Sequence, residues 1–196
     1  TAKILNPERT VLLPARRAGC SLAESISAAD VRDLRTRYPG APVVAYINTY
    51  ADVKAEADIC CTSGNAARIV NALDADQIIF LPDEYLAQNV SRETGKSIIF
   101  PSSGPVAGNT KDSAASDGMH YDVVGWTGRC EVHEKFTVDD IVSVRHQFPE
   151  VVVLAHPECS PAVVDAADFS VSTSAMSDYI RDSGPSQYLL LTECSM

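Results

Sequence analysis

A chain that carries one plan twice has few ways to fold. Residues 20–80 align with 130–190 at a constant offset of 110, without a gap. Cys20 falls on Cys130, Leu22 on Val132, Asp30 on Asp140, Pro39 on Pro149, and Ala57-Asp58 on Ala167-Asp168. The polar matches carry more: Tyr46 on His156, Asn48 on Glu158, Ser63 on Thr173, Gln77 on Gln187. A second offset, 87, lays Thr10–Pro14 on Ser97–Pro101, so an insertion lies between Pro101 and Cys130. Self-similarity at fixed offsets is the signature of duplicated units.

Within each unit, short apolar runs alternate with helical patterns. The expected strands are Val11–Leu13, Val43–Ile47, Gln77–Phe80, Ser97–Phe100, Val151–Ala155 and Gln187–Leu191, with shorter ones near Asp58–Cys60 and Phe169–Ser172. They are continuous apolar runs, as strands covered on both faces should be. Helices are expected over Ala28–Tyr38 and Val138–Phe148, behind the hydroxyl caps Ser27 and Thr137. Others are expected over Ser63–Leu73, Asp83–Thr94, Pro161–Ala167 and Ser174–Arg181. The alternation predicts the α/β class, with repeated three-layer αβα domains built on mainly parallel sheets. We divide the chain into 1–16 (the end of a first unit), 17–103 (a second), 104–128 (an inserted surface loop and linker) and 129–196 (a third, incomplete unit). The Ser-, Gly- and Asp-rich stretch 102–122 reads as surface loop. Without an initiator Met, and ending just after an apolar run, the chain reads as an internal fragment of a longer protein.

Composition excludes several classes. A net charge of −10 argues against nucleic acid or an anionic membrane as main partner. No apolar run approaches the roughly twenty residues of a membrane span. The six cysteines lack a secreted disulfide pattern, which favours cytosolic thiols and a cytoplasmic setting.

In open α/β sheets, reactive groups collect at the carboxyl ends of strands. Tyr46 and Asn48 end one strand, and His156 and Glu158 end its repeat mate. Ser63 and Thr173 precede helices, where free N–H groups favour carboxylate or phosphate. For the serines and threonines the competing role is capping. For Tyr46 it is a core aromatic with its hydroxyl satisfied. Cys20 and Cys130 are the thiols that the repeat makes equivalent. Two thiolates do not complete a metal site. Applying the offset of 87 to Cys130 points to a third, roughly twenty residues beyond Met196. Three thiolates with an open fourth position suit a [4Fe-4S] cluster better than zinc, while the ordinary role of such cysteines is packing. Cys60, Cys61, Cys159 and Cys194 lack this symmetry and read as packing residues.

Several stretches resemble the quinolinate synthase family: Ala18–Ser25, Tyr46-Ile-Asn48, Val53–Asp58 with Cys61–Ala66, Gly128–Glu134, His156-Pro-Glu-Cys159 and Ser172–Met176. They follow the family's order across nearly the whole chain. The resemblance implies three α/β domains about a pseudo-threefold axis and a [4Fe-4S] cluster acting as a Lewis acid, with Cys20 and Cys130 among its ligands. It implies an enzyme of the transferase class that condenses iminoaspartate with dihydroxyacetone phosphate to quinolinate, phosphate and two waters, in NAD biosynthesis. A functional link to an L-aspartate oxidase or dehydrogenase follows from that substrate. Tyr46, His156 and Glu158 match the catalytic positions, and Asn48, Ser63, His133, Ser172 and Thr173 the substrate-binding ones. The family's N-terminal His-Asn-Tyr segment would precede Thr1, so the fragment alone is expected to be inactive. Two rivals are a non-catalytic α/β binding module and another iron–sulfur hydro-lyase acting on a dicarboxylate.

Overall fold

The computed structural model describes residues 2–12, 19–101, 120–184 and 187–193. In chain order, α1 (Ala2–Leu5), α2 (Ser21–Glu24) and α3 (Ala28–Arg37) lead into β1 (Val43–Tyr46). Next come α4 (Ala51–Ala55), β2 (Ile59–Cys61), α5 (Ala66–Ala72), β3 (Ile78–Leu81), α6 (Glu84–Thr94), β4 (Ile98–Ile99) and β5 (Val123–Val124). A single 3₁₀ turn (His133–Lys135) precedes α7 (Val138–Gln147), β6 (Val152–Ala155), α8 (Pro161–Ala166), β7 (Phe169–Ser170), α9 (Thr173–Asp182) and β8 (Tyr188–Leu191).

Two parallel sheets result, ordered β2-β1-β3-β5-β4 and β7-β6-β8. The fold is α/β. Adjacent residues of β1 and β3 serve opposite faces of the first sheet, because side chains alternate along a strand. Val44, Ile78 and Phe80 pack with Val70, Leu86 and Val90 of α5 and α6. Val43, Ile79 and Leu81 pack with Val31, Leu34 and Val53 of α3 and α4. Each such side chain contributes about 1.5–3 kcal/mol on burial, which explains why these strands are apolar on both faces. In the second sheet, Val153 and Ala155 pack with Ile141 of α7 and Val163 of α8.

The repeat holds down to single hydrogen bonds. Ser27 with Asp30 and Thr137 with Asp140 form matching capping boxes. Asp58 Oδ2 accepts from Val43 N at 2.7 Å and Asp168 Oδ2 from Val153 N at 2.8 Å. Arg35 and Arg145 pair with those same aspartates.

Three differences from the sequence reading have physical reasons. Val11 and Leu12 are exposed coil and pair with no strand among the described residues, and a lone extended run has nothing to bond to; Leu13 lies outside the described residues. Val123–Val124, placed in the linker, are a buried strand between β3 and β4. Two valines between Asp122 and Gly125 are too short a run to register as periodicity. Cys60 is exposed because β2 edges the sheet, whereas Cys61 and Cys159 are buried packing residues as expected. Burial pushes both of those thiols up to about 12, so they stay protonated. Cys194 and residues 102–119 of the expected surface loop lie outside the described residues. No helix among the described residues is long and apolar enough to cross a membrane.

Candidate active site

The two units meet at the carboxyl ends of β1 and β6. A cleft of about 560 Å³ opens there, lined by Tyr46, Asn48, Ser63, His156, Ser172 and Thr173 together with Glu193. The turn before α5 and the start of α9 come so close that a Cβ on Gly64 would sit 3.3 Å from Ser172 Oγ. Ser63 precedes the helix rather than opening it. Asn65 Oδ1 bonds back to Thr62 N at 2.7 Å, which delays α5 until Ala66. Ser172 is the cap of α9 and accepts from Ala175 N, the competing role anticipated for it.

Hydrogen bonding fixes the state of His156. Its Nδ1 accepts from the backbone N–H of Glu158 at 3.3 Å, so that nitrogen carries no proton. Burial, with the charge of His133 adding to it, holds the ring below its usual pKa and outweighs the opposing pull of Glu158. The ring is therefore the neutral Nε2–H tautomer, and Nε2–H donates to Ser63 Oγ at 3.1 Å. The Ser63 hydroxyl also meets the Tyr46 phenol.

Beneath His156 lies His133, fully buried and stacked on it with centroids 4.7 Å apart and planes at 18°. His133 Nδ1 is 2.9 Å from Glu158 Oε2, and Nε2 is 3.3 Å from Thr192 Oγ1. Burial alone would lower the His133 pKa, but contact with Cys130 and with Glu158 outweighs it and raises it to about 10. Burial likewise pushes Glu158 up, and His133, His156 and Tyr46 together hold it below the ordinary carboxylate value. The site thus holds a buried imidazolium–carboxylate pair. Neither Glu158 oxygen has an aligned hydrogen-bond donor among the described residues, although both are buried. The side chains of His156 and Glu158 do not bond to each other: the carboxylate faces His133, and Glu158 gives His156 only its backbone N–H. Tyr46 lies against Glu158 and Ser63, and burial first, then the Glu158 charge, push its pKa far up. It is a protonated phenol at any working pH.

Cys130, His133, Glu158 and Glu193 place one donor atom each within 4.8 Å of one another, so they could hold a metal ion. The set offers one soft sulfur, two carboxylates that include the unbonded oxygens of Glu158, and a ring nitrogen that binds a metal once the imidazolium gives up its proton. Cys20 stands apart and exposed, outside this set. Its segment is nevertheless tied to that of Cys130. Ser21 Oγ accepts from Glu131 N at 3.2 Å and donates to Arg129 O at 3.4 Å, gripping both neighbours of Cys130. Trp126 Nε1 donates to Ser25 O at 3.0 Å, and Gly128 leaves so little room that a Cβ would fall 2.3 Å from Ser25 Oγ.

The sequence reading missed three participants. Thr192 and Glu193 fall beyond the aligned stretch, which ends at residue 190, and at the same offset Thr192 meets Pro82 while Glu193 meets the carboxylate of Asp83. Asp83 was read as a helix start, and it does cap α6 through Leu86 N, but it is fully buried. Burial, then the nearby charge of Glu158, raise its pKa well above the ordinary carboxylate value.

Comparison with known proteins adds an independent finding. The family model described as quinolinate synthetase A protein matches residues 1–196. The chain is 53% identical to quinolinate synthase 2 of Mesorhizobium japonicum over 196 residues, covering all of this chain and 53% of that protein. It is 52% identical to the quinolinate synthase of Agrobacterium fabrum and 51% identical to that of Xylella fastidiosa, in each case over all of this chain and 50% of the relative. The chain spans about half the length of the curated relatives it matches.

Proposed function

The chain belongs to the quinolinate synthetase A family, and from that premise we propose that it supplies two of the units of a quinolinate synthase. The reaction joins iminoaspartate to dihydroxyacetone phosphate and releases quinolinate, phosphate and two waters. The observation that carries this reading is the cleft itself, where two units contribute hydroxyls, an amide and a neutral imidazole above a buried charge pair.

Asn48, Ser63, Ser172 and Thr173 bind the carboxylates of the diacid, since an acidic chain must recognise an anion through local donors. Tyr46, held protonated, donates to oxygen as negative charge develops there. His156 presents Nε2–H from the opposite wall and donates it to Ser63 Oγ, which orients the Ser63 hydroxyl for the substrate. Burial keeps His156 neutral, and stacking on His133 supports the orientation of its ring.

The fit to an iron–sulfur centre rests on Cys130 and its neighbours and on the tether that holds the Cys20 segment beside them. Cys20 and Cys130 would hold a [4Fe-4S] cluster, which needs at least one more thiolate than these two. When bound, it supplies a Lewis-acidic iron that favours loss of water. The protein works in the cytoplasm, downstream of an enzyme that oxidises L-aspartate to the imine.

The test uses the full-length protein, reconstituted anaerobically with iron and sulfide and supplied with dihydroxyacetone phosphate and enzymatically generated iminoaspartate. Quinolinate and phosphate should appear in equal amounts. A reconstituted protein that binds iron and sulfide yet forms no quinolinate would point to another hydro-lyase, and one that takes up neither to a binding module.

A further inference from the structure

We propose that Asn89, a residue of α6 in the second unit, is a positioning residue that sets the orientation of His156 in the third. Its side-chain amide donates to Pro157 O at 2.8 Å and to Cys159 O at 2.9 Å, bracketing Glu158. Both amide protons are used on carbonyls. A flipped amide would set its oxygen against the same two acceptors, so the orientation of the group is fixed. Asn89 Oδ1 has no hydrogen-bond partner among the described residues, so the residue is held by these two bonds.

The consequence follows from the peptide bond. Pro157 C=O and Glu158 N–H belong to one planar unit and point in opposite directions. Asn89 grips that plane by its oxygen, and the plane's N–H meets His156 Nδ1 on the other side at 3.3 Å. Asn89 thereby fixes the plane that keeps Nδ1 an acceptor and leaves Nε2–H facing Ser63. The repeat does not supply this clamp. In the second unit, the positions equivalent to Pro157 and Cys159 are Ile47 and Thr49, and Thr49 O is met by Lys54 from its own unit. The clamp is a contact between units, made only to the loop that bears the histidine.

Arg92, one turn further along α6, provides the control. It also bridges the units, donating from Nη2 to both Asp165 oxygens at 2.6 and 2.7 Å and from Nη1 to Pro161 O at 3.4 Å, but makes no hydrogen bond to the His156–Cys159 loop. If Asn89 merely glued the units together, losing Arg92 would do equal harm.

This proposal rests on the quinolinate synthase reading for its kinetic arm only. In the reconstituted full-length protein, Asn89→Ala should lower kcat by about ten-fold or more while KM stays within about three-fold. Asn89→Asp, of equal volume but without donors, should do the same, and it carries the test if the alanine variant fails to fold. Arg92→Ala should leave kcat within about two-fold. Hydrogen exchange followed by mass spectrometry supplies the second arm: the Glu158 amide should exchange about ten-fold faster in the Asn89 variants, with β1 and β6 amides unchanged. An unchanged kcat in the Asn89 variants, an equal loss in Arg92→Ala, or unchanged exchange at Glu158 would overturn the proposal. A wild-type protein that makes no quinolinate would sink the functional reading instead, and the exchange arm would then decide the clamp alone.

Discussion

Ser63 and His156 stand 93 positions apart in the chain, and their side chains meet at 3.1 Å. Each follows a strand end in its own unit, so this bond joins the two halves of the cleft. It explains why a duplicated α/β plan can make one site: like-placed groups converge when the sheets face each other at their carboxyl edges.

The phenol of Tyr46 is kept protonated by burial and by the charge of Glu158. Tyr46→Phe should therefore lower kcat by about 100-fold. The melting temperature should change little, because the ring still fills its place in the core. Steady-state kinetics and a thermal melt check both parts.

Glu158 neutralises a buried imidazolium. Glu158→Gln should cost about 3–5 kcal/mol of stability, since it leaves the His133 charge without its counter-charge at zero exposure. Urea unfolding of the two proteins measures the difference.

Asp58 tests the fold apart from the site. Burial pushes its carboxyl up, but the Val43 N–H and Arg35 outweigh that and hold it below its ordinary 3.8. A depressed carboxylate stabilises above its unfolded pKa, and its contribution is lost as pH falls below 3.8 through the folded value. Asp58→Ala should cost about 0.5–1.5 kcal/mol at pH 7, nearer the low end because the ion pair is half exposed. Melting curves should show the gap to wild type closing as the solution is acidified below 3.8.

Gly128 admits no side chain. A Cβ would lie 2.6 Å from Pro82 O, a backbone atom that cannot swing aside. Gly128→Ala should destabilise by about 1–3 kcal/mol. In the full-length protein it should also lower the iron retained after reconstitution, by disturbing the approach to Cys130, as iron and sulfide analysis would reveal.

Much of this was legible from residues alone. The offset of 110 placed the matching strands and helices and paired Tyr46 with His156, because duplicated positions keep duplicated surroundings. Apolar runs located β1, β3, β6 and β8 to within a residue or so, since burial on both faces leaves a continuous signal. What escaped depends on contacts between distant segments. Nothing local to Glu158 says that its carboxylate turns to His133 rather than to His156, two residues away. Asp83 looks like any helix cap until three dimensions bury it beside Glu158. β5 is two valines long, and only pairing on both sides makes it a strand. Cys20 matches Cys130 by repeat, yet one is exposed and the other buried, because exposure is set by neighbours that the repeat does not copy.

The account stands on two units acting upon one substrate through Ser63 and His156. A double-mutant cycle measures that directly: kcat/KM of the reconstituted full-length protein for wild type, Ser63→Ala, His156→Asn and the double variant. The account predicts a coupling of at least ten-fold, about 1.4 kcal/mol, with the second substitution costing little once the first is made. Strictly multiplicative losses, with no coupling between the two positions, would contradict it.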